Sequence, residues 1–119
     1  MANNVQQAFA QHVMNNITAI GLFNNGTELS GSNYSRITIN PSQHLELTSD
    51  ANNFYIRNKV NLSFPQAAGD WGTFNQVGVF GAGTTLWFLI DVPSRTIRQY
   101  DQVFIETGKL ELPIPKVNT

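Results

Sequence analysis

Thr73-Phe74-Asn75-Gln76-Val77-Gly78-Val79-Phe80, followed by Gly81-Ala82-Gly83-Thr84 and then Leu86-Trp87-Phe88-Leu89-Ile90-Asp91-Val92, is the stretch that decides the fold. Its first part is rich in β-branched and aromatic residues, which suit a pleated surface. The glycine-rich middle reads as a turn. The last part is apolar except at Asp91, so it reads as a central strand buried on both faces. Pro93-Ser94 ends it. The two runs therefore predict a long antiparallel hairpin.

The same alternation extends to both sides. Val60, Leu62 and Phe64 alternate with Asn61 and Ser63 as a half-buried strand closed by Pro65. Tyr34 to Ile39 alternates as a strand, with Arg36 and Thr38 on the side of Tyr34. His44 to Thr48 reads as a short edge strand with Leu45 and Leu47 inward. Phe54-Tyr55-Ile56 is a weak strand or a loop anchor. Val103-Phe104-Ile105 and Leu110 to Leu112 read as closing strands, Ile97 as a lone core contact, and Pro113 and Pro115 as the end of pairing. Asn24-Asn25-Gly26 marks a type I′ turn, because Asn and Gly tolerate the positive φ it needs.

The N-terminal part has a different period. Val5, Ala8, Phe9, Val13, Ile17 and Ile20 recur at three- and four-residue steps, which predicts a helix over residues 3–20 with Asn3 or Asn4 as cap and Gly21 as stop. The fold expected is mainly β: one antiparallel β-sandwich domain over residues 1–119, jelly-roll-like, with seven to nine short strands, one N-terminal helix and an extended tail at 113–119.

The 119 residues are 41% hydrophobic but only 13% charged, with a net charge of -1. Such a surface exerts little long-range pull on phosphate or anionic lipid, so neither nucleic acid nor membrane is an expected partner. Low charge also weakens repulsion between copies, which favours a homo-oligomer, a trimer being the first guess. There is no cysteine and only two histidines, His12 and His44; no metal site and no cofactor is expected. No signal peptide is legible at the start, and no apolar run reaches the length of a membrane span.

Catalytic constellations are missing. The acids sit beside turns or on solvent-facing strand positions, and no serine lies in a Gly-x-Ser-x-Gly elbow. Asp91 is either a strand-end residue facing water or a buried acid partnered by Arg95. His12 reads as a packed histidine and His44 as an exposed one. Gly78 to Gly83 has the wrong spacing for a phosphate loop. No catalytic residue is expected. Trp71, Trp87 and Tyr55 are candidates for subunit contacts or, alternatively, for a glycan platform.

Gly26-Thr27-Glu28-Leu29-Ser30-Gly31-Ser32-Asn33-Tyr34-Ser35-Arg36 resembles the Gly-Thr-Glu-Val-Ser-Gly-Gly-x-Tyr-Ala-Arg motif of small phage and prophage tail-fibre-associated or minor tail proteins. The strand from Asn61 to Pro65, then Trp71-Gly72, then Val77-Gly78-Val79-Phe80 is similar to the order Phe-Pro, Trp-Gly, Gly-x-Phe in that family. The likeness spans roughly residues 5 to 112. Asn33 stands where a small residue is usual, residues 54–59 lie outside the pattern, and the closing strand diverges. The resemblance implies a non-enzymatic structural part of a virion, made in the host cytoplasm, that assembles with itself and with other virion proteins. The alternatives are a capsid decoration protein of the head surface and a carbohydrate-binding module for host attachment. The structural motif is Gly26, Thr27, Glu28, Ser30, Gly31, Tyr34 and Arg36, joined by Trp71 and Gly72. Within it, Glu28 and Arg36 flank a Ser-Gly loop that they can clamp by a charge-assisted hydrogen bond, with Tyr34 covering the loop's inner face.

Overall fold

Helix α1 covers Asn4–Asn15, and the computed structural model describes residues 4–116. The helix buries Ala10, Val13 and Met14, while Phe9 is exposed. His12 is exposed too, and is not the packed histidine expected. The helix is shorter than the 3–20 span predicted, whose first residue lies outside the described part. Asn16 ends it: its Nδ2 donates to His12 O at 2.8 Å and its backbone N to Val13 O at 3.2 Å. Ile17 and Ile20 happen to continue the helical spacing, but they belong to strand β1, Ile17–Asn24. Thr18 between them and the β-branched isoleucines lose less side-chain freedom in a strand than in a helix. Gly21, expected as a helix stop, is in mid-strand, where a Cβ would lie 2.8 Å from Glu28 Oε2.

Nine further strands follow: β2 Thr27–Glu28, β3 Ile37–Thr38, β4 Leu45–Ser49, β5 Asn53–Asn58, β6 Leu62–Ser63, β7 Gly72–Gly81, β8 Thr85–Ile97, β9 Phe104–Ile105 and β10 Glu111–Pro115. A helical turn, α2 (Pro41–His44), precedes β4. All strand pairs are antiparallel. The largest sheet runs β2-β1-β7-β8, with β3 pairing β1 beyond the end of β2; the second runs β10-β5-β4; β6 and β9 form a third. The protein is mainly β, with antiparallel sheets in a sandwich-like arrangement and one N-terminal helix.

The core lies between these layers. Ile20, Leu22, Val77 and Val79 come from the large sheet, Leu45, Ile56 and Leu112 from the second, and Leu62 and Phe64 from the third; Val13 and Met14 of α1 join them. Each such side chain contributes about 1.5–3 kcal/mol by leaving water.

Five further expectations need correction. The apolar run Leu86–Val92 is part of an edge strand: β8 pairs with β7 alone among the described residues. Its inner face reaches the core through Phe88 and Ile90, while Leu86 and Leu89 stay 38% and 39% exposed. Pro93 does not end it. The chain bulges, Gln76 pairing with Asp91 and Phe74 with Arg95, and the extra residues Val92–Ser94 absorb the proline. Ile97, the fully buried end of this strand, is therefore not a lone contact. Most of Tyr34–Ile39 is irregular, and only Ile37–Thr38 pairs. Pro113 and Pro115 lie within β10, paired with Tyr55 and Asn53 of β5. Strand β10 is an edge, where a proline's missing N–H costs no ladder bond.

Candidate assembly site

Strands β2 and β3 both pair with β1, at Phe23–Asn24 and at Ala19–Ile20, leaving the edge of β1 open between them. Tyr34 fills that opening. Its hydroxyl accepts from Leu22 N at 3.0 Å and donates to Glu28 Oε2 at 2.7 Å. Arg36 closes on the same carboxylate as a fork, Nε to Oε2 at 2.9 Å and Nη2 to Oε1 at 2.8 Å. Bidentate charge-assisted bonds of this kind fix orientation as well as distance. The guanidinium also lies 3.8 Å from the centre of the Phe80 ring, and Phe80 packs against Phe23 at 5.9 Å between centroids.

The rest of the motif is built onto this cluster. The Tyr34 ring meets Trp71 edge-on at 5.1 Å. Trp71, 4% exposed, donates from Nε1 to Ser32 O at 2.9 Å. Gly31 lies under that indole, where a Cβ would stand 2.6 Å from its Cδ1. Gly72 has φ +93, which lets the chain turn from Trp71 into β7. The structure thus brings Glu28, Gly31, Tyr34, Arg36 and Trp71 into one unit. Gly26 belongs to the β1–β2 turn and Thr27 opens β2, which together deliver Glu28. Ser30 is an exposed loop residue.

Two electrostatic consequences follow. The Arg36 hydrogen bonds, opposed by partial burial and assisted by the Tyr34 hydroxyl, hold the Glu28 carboxyl below its ordinary value of 4.5. Burial, which outweighs the Leu22 contact, raises the Tyr34 hydroxyl above its ordinary 10.0. The cluster is thus an ionised carboxylate with a neutral phenol. Every polar atom named is satisfied within it, and no open nucleophile or base results.

The candidate contact aromatics part company. Trp71 is buried, so its ring has no face left for a glycan. Trp87 is half-buried and lies flat on Gly81, where a Cβ would meet its ring at 2.4 Å. Tyr55 donates to Asp50 Oδ2 at 2.8 Å and has Arg57 at 5.1 Å from its ring centre. Asp91 faces outward on β8 and accepts from Gln76 Nε2 at 3.1 Å; its side chain has no ion pair with Arg95 among the described residues.

Two features carried no recognisable sequence motif. Asn58 is fully buried; its Nδ2 donates to the carbonyls of Val60, Ile105 and Glu106, and its Oδ1 accepts from Leu110 N at 3.0 Å. Strand parity was the available signal, since Phe54 and Ile56 face inward and Asn58 is next in phase. The second is the apolar outer face of the large sheet. Leu86 and Leu89 share it with Phe23 and Phe80, and Arg36 and Asp91 stand nearby. On the opposite side of β8, a groove of about 620 Å³ runs between Ile90–Arg95 and the segments 103–106 and 109–111. No group of acids and histidines suited to a metal occurs among the described residues, and no described helix is long and apolar enough to cross a membrane.

The protein is thus an antiparallel β protein with a satisfied structural cluster and an apolar strand at the edge of its largest sheet. The chain matches the family described as podophage GP4 fiber I protein gp80 over residues 1–113, and it belongs to that family. This is a phage fibre family, which carries a virion structural role with it. No match was found among curated proteins or among solved structures.

Proposed function

We propose that the chain is a non-enzymatic, fibre-associated tail component of a virion, which works by packing against further copies of itself and against neighbouring virion proteins. The observation that carries this reading is the placement of β8. The uncharged run Thr85–Ile90 lies at the open edge of the large sheet, with Leu86 and Leu89 at 38% and 39% exposure. Exposed apolar surface on a sheet edge is a liability unless it is covered, and natural edges are shielded by charge, bulge or partner. The bulge at Trp87, between the pairs Val79–Phe88 and Phe80–Leu86, blunts backbone pairing here. Coverage of the apolar face by a packed neighbour is therefore favoured over strand addition. The Glu28–Arg36 pair at the rim of this face offers polar groups that set the register of the contact.

Light scattering coupled to size exclusion tests the reading. The wild type elutes as an oligomer, and Leu86→Glu with Leu89→Glu elutes as a monomer at an unchanged melting temperature. A wild type that is monomeric at all concentrations, and that fails to associate with particles of its phage, overturns it. A carbohydrate-binding role would rest on Trp87 and Tyr55, the two rings still presented; glycan binding lost on Trp87→Ala would favour that role.

A further inference from the structure

The β1–β2 turn holds the chain's single Asn-Gly pair, Asn25-Gly26. Both residues have positive φ, 46° and 87°, and both are exposed. Asn-Gly is the dipeptide in which an asparagine side chain is most open to attack by the following backbone nitrogen, because glycine has no Cβ to hinder the approach. Here four side-chain bonds surround it. Gly26 N donates to Gln76 Oε1 at 2.8 Å. Asn25 N donates to Asn75 Oδ1 at 3.0 Å, and Asn75 Nδ2 donates back to Asn25 Oδ1 at 2.8 Å. Gln76 is itself aimed by Asp91, which accepts its Nε2 at 3.1 Å.

We propose that Asn25 is a spontaneous modification site of this chain, converted to aspartate or isoaspartate, and that Asn75 and Gln76 hold it latent while the hairpin is intact. The chemistry needs only water and hydroxide. Hydroxide removes the proton from Gly26 N, and that nitrogen attacks Cγ of Asn25. The N–Cγ bond forms, the Cγ–Nδ2 bond breaks, and Nδ2 takes a proton and leaves as ammonia. Water then opens the five-membered imide at one of its two carbonyls, giving aspartate or the β-linked isoaspartate. Three features oppose the first step. The Gly26 proton is engaged by Gln76. The Asn25 carboxamide is tied to the same Asn75 side chain as its own backbone N, which fixes its torsion. Ring closure also requires the turn to leave its left-handed conformation, and the β1–β2 pairing at Asn24–Thr27 and Phe23–Glu28 resists that. An isoaspartate would lengthen the backbone of a two-residue turn by one carbon, displacing Glu28 from Arg36.

Mass spectrometry of the peptide containing residues 25–26, after incubation of the whole chain at mildly alkaline pH, reads the rate. The native chain converts slowly and the urea-unfolded chain many-fold faster. Gln76→Ala and Asn75→Ala each accelerate conversion several-fold in the folded chain, and Asp91→Ala does so to a smaller extent. Val103→Ala, remote from the turn and destabilising through the core, controls for general loosening and leaves the rate near native. Native and unfolded chains converting at one rate, or Gln76→Ala and Asn75→Ala converting no faster than Val103→Ala, overturns the proposal.

Discussion

Glu28 accepts three hydrogen bonds from two side chains, and both donors depend on it. Removing Arg36 strips the carboxylate of two of the three; removing Glu28 leaves the guanidinium with Phe80 alone among the described residues. The pair is about one-fifth to one-third exposed at the side-chain level (22% and 34%), so water compensates part of the loss. Glu28→Ala and Arg36→Ala are each expected to cost about 1–2 kcal/mol, read as a lower melting temperature. Wild-type melting temperatures in both would rule the clamp out. The sign of the pH dependence follows from the same contacts. A carboxyl held below 4.5 in the fold gives stability that is fully present above that value and is lost as pH falls through the lowered one. Acid unfolding of Glu28→Gln should therefore be shallower than that of the wild type below about pH 4.5. Tyr34 works in the opposite direction: its raised hydroxyl favours the fold below pH 10 and withdraws that support as the pH climbs further. Asn58 is the other residue-scale test. It satisfies three carbonyls and one N–H in the interior, and each orphaned group costs about 1–3 kcal/mol. Asn58→Ala should cost at least about 3 kcal/mol by chemical denaturation, more than either clamp variant.

At the scale of elements, β7 and β8 make the clearest case. Their hairpin was legible in the sequence, because β-branched and aromatic runs flank a glycine-rich turn. The wrong part was the depth of β8. A continuous apolar run looks the same whether a second strand or a partner covers its far side, and periodicity within one chain carries no information about the neighbour. The hairpin's turn also permits a prediction. Ala82 has φ +49, a region a side chain occupies at a cost and glycine does not. Ala82→Gly is expected to stabilise by about 0.5–1 kcal/mol, seen as a higher denaturant midpoint. Gly81→Ala goes the other way. Its Cβ would meet the Trp87 ring, so overpacking of about 1–3 kcal/mol is expected, with a shift in tryptophan emission as the indole is pushed off the sheet. Unchanged emission would show that Trp87 does not rest on Gly81. The boundary between α1 and β1 was hidden for a related reason: Ile17 and Ile20 satisfy both a helical and a strand reading until Asn16 is seen to close the helix with its own side chain.

For the whole molecule, charge and apolar exposure act together. The net charge is -1, so the self-association we propose through Leu86 and Leu89 is expected to persist at high salt. At about 1 M salt the screening length shrinks to ~3 Å and surface ion pairs fade, whereas burial of apolar area does not. Light scattering in low and high salt checks this; dissociation at high salt would mean that the rim charges, rather than the leucines, hold the copies together.

The sequence by itself determined the class of fold, the hairpin, the family and the composition of the Glu28–Tyr34–Arg36 motif. All of these reside in local spacing and residue type, which the chain carries in one dimension. Only the tertiary structure decided that Tyr34 plugs the gap between β2 and β3, that Trp71 is sealed beneath the loop, that Asn58 ties its own turn to three distant backbone groups and that β8 lies at an edge. Each of these depends on which segments become neighbours in space, and that choice is made by the joint burial of the whole core rather than by any one stretch of chain.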